Sequence, residues 1–286
     1  MNQGASNAGQ IALMTNHVAD LHFNGDSQCF PRYLYKKVSE ETSSVSRTGS
    51  LFEEPQESSS EVESVASYRP VDAITPEAMK HFQEAYPGKT ITMDDLFYYI
   101  YGILHSEDYR QKYANNLMKE LPRIPRVATY EDFMAFSKAG RDLANLHLNF
   151  ESVPEYSGVR IIEDKRLGFS YRVTQMKYGK IPGKTGNAGK DKTKLVYNEF
   201  VTVEGIPLEA QEYVVNKKSA LDWVVERACV KTDKDSGIVN DFNDYAAEKG
   251  DRRYPLSLFL RVITVSLETM KIVKALPALK IHPLDA

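Results

Sequence analysis

Thr92-Met93-Asp94-Asp95-Leu96-Phe97-Tyr98-Tyr99-Ile100-Tyr101-Gly102-Ile103-Leu104-His105-Ser106 is the stretch from which the fold can be read. Thr92 offers a side-chain oxygen for a helix N-cap, and Asp95, three residues on, supplies the reciprocal acceptor. Leu96, Tyr99, Ile100, Ile103 and Leu104 then recur at the helical period, which predicts a helix with one apolar face. Upstream, Thr75-Pro76-Glu77 sets a cap ahead of a proline at the first helical position, and Met79, Phe82 and Tyr86 fall on one side. Downstream, Ser106 caps a helix expected to reach Glu120, after which Pro122 and Pro125 leave residues 123–126 extended. Thr129 and Asp132 repeat the capping pattern ahead of Phe133, Phe136, Gly140, Leu143 and His147.

Beyond this helical half the period changes. Residues 159–162, 169–178 and 195–203 are rich in β-branched and aromatic side chains and read as strands, with a glycine-rich segment between the last two. Helices resume at 207–215, at 219–230, where Ser219 and Asp222 form a capping pattern, and at 255–276. Because the strands cluster instead of alternating with helices, the fold class is α+β: a helical scaffold with a small antiparallel sheet.

The 286 residues, 42% hydrophobic, suffice for one or two cores. Residues 71–286 read as the main domain. In residues 39–70, Glu53, Glu54, Glu57, Glu61 and Glu63 sit among many serines with few apolar groups, a composition that cannot offset the entropy of ordering and reads as a linker. Within residues 1–38, residues 11–35 carry apolar clusters on either side of Asn24-Gly25-Asp26, which predicts two short strands or extended segments joined by a tight turn. That piece is too small to fold alone and is expected to be the trailing edge of a longer polypeptide. No apolar run approaches the roughly 20 residues of a membrane span. The start lacks a secretory signal, and the cysteines, Cys29 and Cys229, lie far apart, so a reducing cytoplasm is expected.

The net charge of -3 argues against a uniformly basic coat, yet residues 165–194 hold nine Lys or Arg against one acid, Asp191. Within that stretch Lys177, Lys180, Lys184, Lys190, Lys192 and Lys194 surround four glycines, which predicts a cationic finger able to approach phosphates closely. Asn187 is placed to pair with an adenine edge, and Asn240, in a polar segment, is a second candidate for base contact. The competing reading of the finger is a solvated hairpin tip. Gly183-Lys184-Thr185 does not complete a phosphate loop, because the upstream glycine and the strand-to-helix context are both missing. His22, His81, His105 and His147 have no nucleophile or carboxylate partner at recognisable spacing and read as structural, as does the Asp233-Asp235 pair in its polar loop.

Three stretches resemble a known family: Asp20-Leu21-His22-Phe23-Asn24-Gly25-Asp26-Ser27-Gln28-Cys29-Phe30-Pro31; the helix above from Asp95 to Ser106 with Leu121-Pro122-Arg123-Ile124-Pro125; and Lys231-Thr232-Asp233-Lys234-Asp235-Ser236-Gly237-Ile238-Val239-Asn240-Asp241. The sequence is similar to the C-terminal specificity region of type ISP restriction-modification enzymes, and its middle stretch to other fused adenine methyltransferase-endonucleases. The resemblance implies sequence-specific recognition of double-stranded DNA. It implies that N6-adenine methylation and ATP-dependent cleavage reside in upstream methyltransferase, translocase and nuclease domains, with S-adenosylmethionine, ATP and Mg belonging to the whole enzyme. It also makes residues 1–38 the end of the methyltransferase module. The chain itself lacks an Asn-Pro-Pro-Tyr turn and a glycine-rich cofactor strand end, so no cofactor, metal or catalytic residue is expected in it. The rival reading is a scaffold domain that presents the tyrosine-rich helix to another protein and never touches DNA.

Overall fold

A computed structural model describes residues 12–19, 28–38 and 67–285. The turn expected at Asn24-Gly25-Asp26 and nearly all of the Ser/Glu-rich stretch lie outside them. The first strand, β1 (Tyr33–Lys37), pairs antiparallel with β2 (Tyr68–Asp72), and the register runs from Tyr33 opposite Asp72 to Lys37 opposite Tyr68. One expectation is corrected here: Tyr68, Arg69 and Pro70, assigned to the linker, belong to β2, so β1 has a partner across the Ser/Glu-rich stretch, while residues 12–19 carry no strand.

The helical layer follows. Helices α1 (Pro76–Ala85), α2 (Met93–His105) and α5 (Tyr130–Leu148) start at Thr75, Thr92 and Thr129, each of which accepts a hydrogen bond from the backbone three residues on. At α2 the box is complete, with Asp95 N donating to Thr92 Oγ1 at 3.1 Å and Thr92 N donating to Asp95 Oδ2 at 3.0 Å. The helix expected to run from Ser106 to Glu120 is two short ones, α3 (Glu107–Lys112) and α4 (Ala114–Leu117), broken at Tyr113.

Helices α2 and α5 cross through glycine. A Cβ on Gly140 would lie 1.8 Å from the Tyr98 carbonyl oxygen, and one on Gly102 would lie 2.3 Å from that of Phe136. This close approach lets Tyr99 stack on Phe133 at 4.6 Å in a core with Phe82, Ile103 and Phe136. The tyrosines then serve the backbone. Tyr99 donates to the Pro125 carbonyl at 2.6 Å, Tyr86 to that of Val127 at 2.7 Å and Tyr109 to that of Arg123 at 2.8 Å, so the extended Arg-Ile-Pro segment is bonded along its length by phenol groups. Arg126, buried behind it, is clasped by Asp285 near the other end of the chain.

The second layer is a four-stranded antiparallel sheet made of β3 (Arg160–Glu163), β4 (Lys177–Lys180), β5 (Lys190–Val196) and β6 (Val201–Glu204), in the order β3-β6-β5-β4. Residues 195–203, expected as one strand, turn at Asn198, whose side chain accepts from Phe200 N and Val201 N at 2.9 and 2.8 Å. Residues 169–176 are irregular. Tyr197 and Asn198 bond to their carbonyls, which satisfies the backbone without a ladder. Residues 207–215, expected to be helical, form a single 3-10 turn and then β7 (Val214–Val215), paired with β8 (Lys218–Ser219). Helix α6 (Ala220–Arg227) is capped by Ser219 as expected. A hairpin, β9 (Val230–Thr232) and β10 (Val239–Asp241), and helix α7 (Phe242–Glu248) follow, none of them expected.

The long α8 (Tyr254–Lys274) joins the layers. Leu256, Phe259, Leu260 and Ile263 pack on Leu195, Tyr197 and Val203 of the sheet, and Val273 reaches Leu143 and Ala144 of α5. The eight helices and small antiparallel sheets among the described residues form the expected α+β arrangement. None of these helices is long and apolar enough to cross a membrane.

Candidate nucleic-acid interface

The lysine-rich finger is a real hairpin tip, shorter than the sequence suggested. Lys177 and Lys180 stand on β4, Lys190, Lys192 and Lys194 on β5, and residues 181–189 make the turn. Ile181 N donates to the Gly189 carbonyl at 2.8 Å and Lys184 N to that of Ile181 at 3.2 Å. Gly183 and Gly186 adopt φ of 76° and 62°, the left-handed region open to glycine. Gly189 is demanded by proximity, since a Cβ there would sit 2.5 Å from the Lys184 carbonyl oxygen.

The lysines divide into two groups. Lys177, Lys180, Lys184 and Lys190 are exposed and form no ion pair among the described residues. Lys192 and Lys194 are committed elsewhere. The β4–β5 register jumps from Tyr178 opposite Leu195 to Gly179 opposite Asp191, leaving residues 192–194 bulged with no partner on β4. Asp191 Oδ1 holds the bulge by accepting from Thr193 N at 3.0 Å and Thr193 Oγ1 at 2.6 Å. Lys192 Nζ then reaches Asp222 Oδ2 at 2.8 Å and Gln211 Oε1 at 3.2 Å, while Ser219 Oγ donates to the same Gln211 oxygen at 2.7 Å. Burial by itself would raise the Asp222 carboxyl, but the Lys192 ammonium outweighs it and holds the group below the usual range. Lys194 pairs with Glu204 at 2.8 Å, and together with Arg160 it keeps that carboxyl low as well.

Asn187 is exposed at the tip, and its side chain makes no hydrogen bond among the described residues. Asn240 lies on β10 opposite Lys231, also exposed. The loop of its hairpin is shaped by Asp233, which accepts from Ser236 N and Ser236 Oγ at 2.8 Å each. The hairpin is attached to the irregular stretch that leads into β4. Val230 N donates to the Thr174 carbonyl at 2.9 Å, Asn243 exchanges hydrogen bonds of 2.9 and 2.8 Å with Val173, and Arg172 pairs with Asp241. The two hairpins therefore occupy the same edge of the sheet. Sequence reasoning missed Arg172, Asp222, Gln211 and Asn243, which position these hairpins; only the Ser219-to-Asp222 capping pattern touched on one of them.

His105 and His147 are interior residues. Tyr101 OH lies 2.8 Å from His147 Nδ1, and His147 Nε2 lies 2.9 Å from Thr269 Oγ1. Burial pushes His147 down to about 3, with His105 adding to the effect, and pushes His105 down to about 4.

A family profile described as the Type ISP C-terminal specificity domain matches residues 1–258, and the chain belongs to that family. Among solved structures it is similar to the ATP-dependent Type ISP restriction-modification enzyme LlaBIII bound to DNA, with a TM-score of 0.74 and 32% identity over 97% of this chain. It is similar to the DrdV-DNA complex at a TM-score of 0.69 and 30% identity over 94% of this chain. A nuclease-deletion mutant of the Type ISP enzyme LlaGI, in complex with a DNA substrate mimic, matches at 0.58 and 40% identity over 67%. The chain spans 16%, 23% and 17% of the lengths of those three proteins. Comparison with curated protein sequences gives no match.

Proposed function

We propose that this chain reads DNA sequence for a type ISP restriction-modification enzyme, directing N6-adenine methylation and ATP-dependent cleavage performed by other domains of that enzyme. The observation that carries the reading is the β4–β5 tip, where four cationic side chains free of ion pairs among the described residues surround a backbone kept bare by glycine. Such a tip can lie against phosphates at short range, and the exposed amide of Asn187 beside it can reach a base edge. Family membership and the DNA held by the similar solved structures support the same reading. Lys192 and Lys194 have a different role in it: they brace the hairpin from below through Asp222 and Glu204.

Cytoplasmic DNA is the partner this reading requires. S-adenosylmethionine, ATP and Mg belong to the whole enzyme. The sequence carries no Asn-Pro-Pro-Tyr turn, and no group of three His, Cys, Asp or Glu side chains able to hold a metal gathers among the described residues. The scaffold reading loses its main support, because Tyr99 and Tyr101 are buried within the chain and not displayed to a partner.

The test is a salt series on binding to a cognate and a scrambled duplex with the whole polypeptide. Replacing Lys180, Lys184 and Lys190 by alanine should weaken binding to both duplexes and lower the salt slope by about one unit per lost phosphate contact. Replacing Asn187 or Asn240 should change preference at one base pair, by roughly 1–3 kcal/mol for a bidentate contact. Unchanged affinity and slope in the triple lysine variant would make the tip a solvated turn and remove this assignment.

A further inference from the structure

Given the DNA reading above, on which this rests, we propose that the β9–β10 hairpin enters the major groove of the bound duplex and that Ile238 takes the 5-methyl group of a thymine there. Every residue from Lys231 to Asn240 is exposed, and the two strands pair only with each other. Ile238 and Val239 stand 61% and 57% exposed on this ribbon, so neither of these apolar side chains serves the core.

A two-stranded ribbon without a buried face is marginal in water, yet this one is braced at both ends. At the tip, Asp233 Oδ1 accepts from Asp235 N, Ser236 N and Ser236 Oγ at 3.2, 2.8 and 2.8 Å, and Asp233 N donates to the Ile238 carbonyl at 2.8 Å. At the base, Arg172 pairs with Asp241, and Asn243 bonds to both backbone groups of Val173. The exposed side chains are therefore presented on a fixed backbone, and a surface ordered in advance loses less freedom on binding.

The register decides which side chains act together. Asn240 lies opposite Lys231 and Val239 opposite Thr232, and alternation along the strand puts Ile238 on the face of Asn240 and Lys231. The other face carries Asp241, which Arg172 ties to the stretch leading into β4, so the Ile238 face is the free one. Its chemistry suits base edges better than phosphates. Lys231 and Lys234 are offset by Asp233 and Asp235, while the unpaired cations lie on the β4–β5 tip at the same edge of the sheet. A two-stranded ribbon fits the major groove, where thymine displays a methyl group to an apolar side chain and adenine two edge groups to an asparagine.

The experiment uses the whole polypeptide. Its preferred site is selected from random duplexes, and each thymine of that site is then replaced in turn by deoxyuridine, which lacks only the 5-methyl group. At one position the replacement should weaken binding about fourfold, the worth of one buried methyl group, with the salt slope unchanged. Ile238→Ala should bind the thymine and uracil duplexes equally at that position and melt at the wild-type temperature, because the side chain is exposed. A selected site without thymine, indifference to every uracil replacement, or a difference that survives Ile238→Ala would overturn the role of Ile238 and leave the DNA reading standing. Absence of salt-dependent duplex binding by the wild-type polypeptide would remove both.

Discussion

At the scale of single residues, two features have sharp consequences. The crossing of α2 and α5 leaves no room for a methyl group at Gly140, where the obstacle is the rigid backbone oxygen of Tyr98 and not a side chain that could swing away. Gly140→Ala should therefore destabilise the fold by about 3 kcal/mol, the upper end of what overpacking usually costs, although alanine is the better helix former. Thermal or denaturant unfolding measures this, and an unchanged midpoint would show that the helices can move apart cheaply. The histidines give a pH signature. An unfolded histidine takes its proton near pH 6.5, whereas His105 and His147 are held at about 4 and about 3. Between those values the unfolded chain binds more protons, so stability is complete above about pH 6.5 and falls as the pH drops below it. Going from pH 7.5 to 5 should cost roughly 1–2 kcal/mol for each histidine. Either ring titrating near 6.5 in the folded chain would contradict this. The site was only partly legible at this scale. The charge of Lys192 and Lys194 was plain from the sequence, but their partners, Asp222 and Glu204, are fixed by a bulge that no local pattern announces.

At the scale of elements, legibility followed the range of the forces. Thr75, Thr92, Ser106, Thr129 and Ser219 all cap helices as the sequence indicates, because a cap is a bond between a side chain and a backbone three residues away. The strands depended on distant partners. Residues 169–176 have the composition of a strand, yet their carbonyls are taken by Tyr197 and Asn198, so propensity yields to tertiary bonding. Helix α7 is capped by Asp241, which accepts from Asn243 N at 2.9 Å, but its seven residues are too few for an apolar period to show in the sequence. The pairing of β1 with β2 bears on the Ser/Glu-rich stretch between them. Val38 N donates to the Ser67 carbonyl at 2.8 Å, so the two ends of residues 39–66 already sit side by side. Replacing those residues by Asn-Gly, which suits a two-residue hairpin turn, should leave the melting temperature nearly unchanged. A large drop or a loss of cooperativity would mean that the stretch contributes to packing.

At the scale of the whole molecule, α8 binds a helical layer to a sheet layer, and Asp285 is tied back to Arg126 on the extended segment held by three tyrosines. The α+β class and the helical half could be read in advance because their apolar periods are regular, whereas the small sheets are knit by contacts between residues far apart in sequence. A chain of this make-up, without the turn and cofactor cradle of an adenine methyltransferase, should transfer no labelled methyl group from S-adenosylmethionine to duplex DNA when purified by itself; measurable incorporation would contradict that. The adjacency of Val38 and Ser67 reaches beyond the stretch it brackets. A folded cargo domain whose own termini lie close together could be spliced in at that point without prising the ribbon apart, and a fluorescent protein carried there would serve as a built-in tracer for single-molecule imaging.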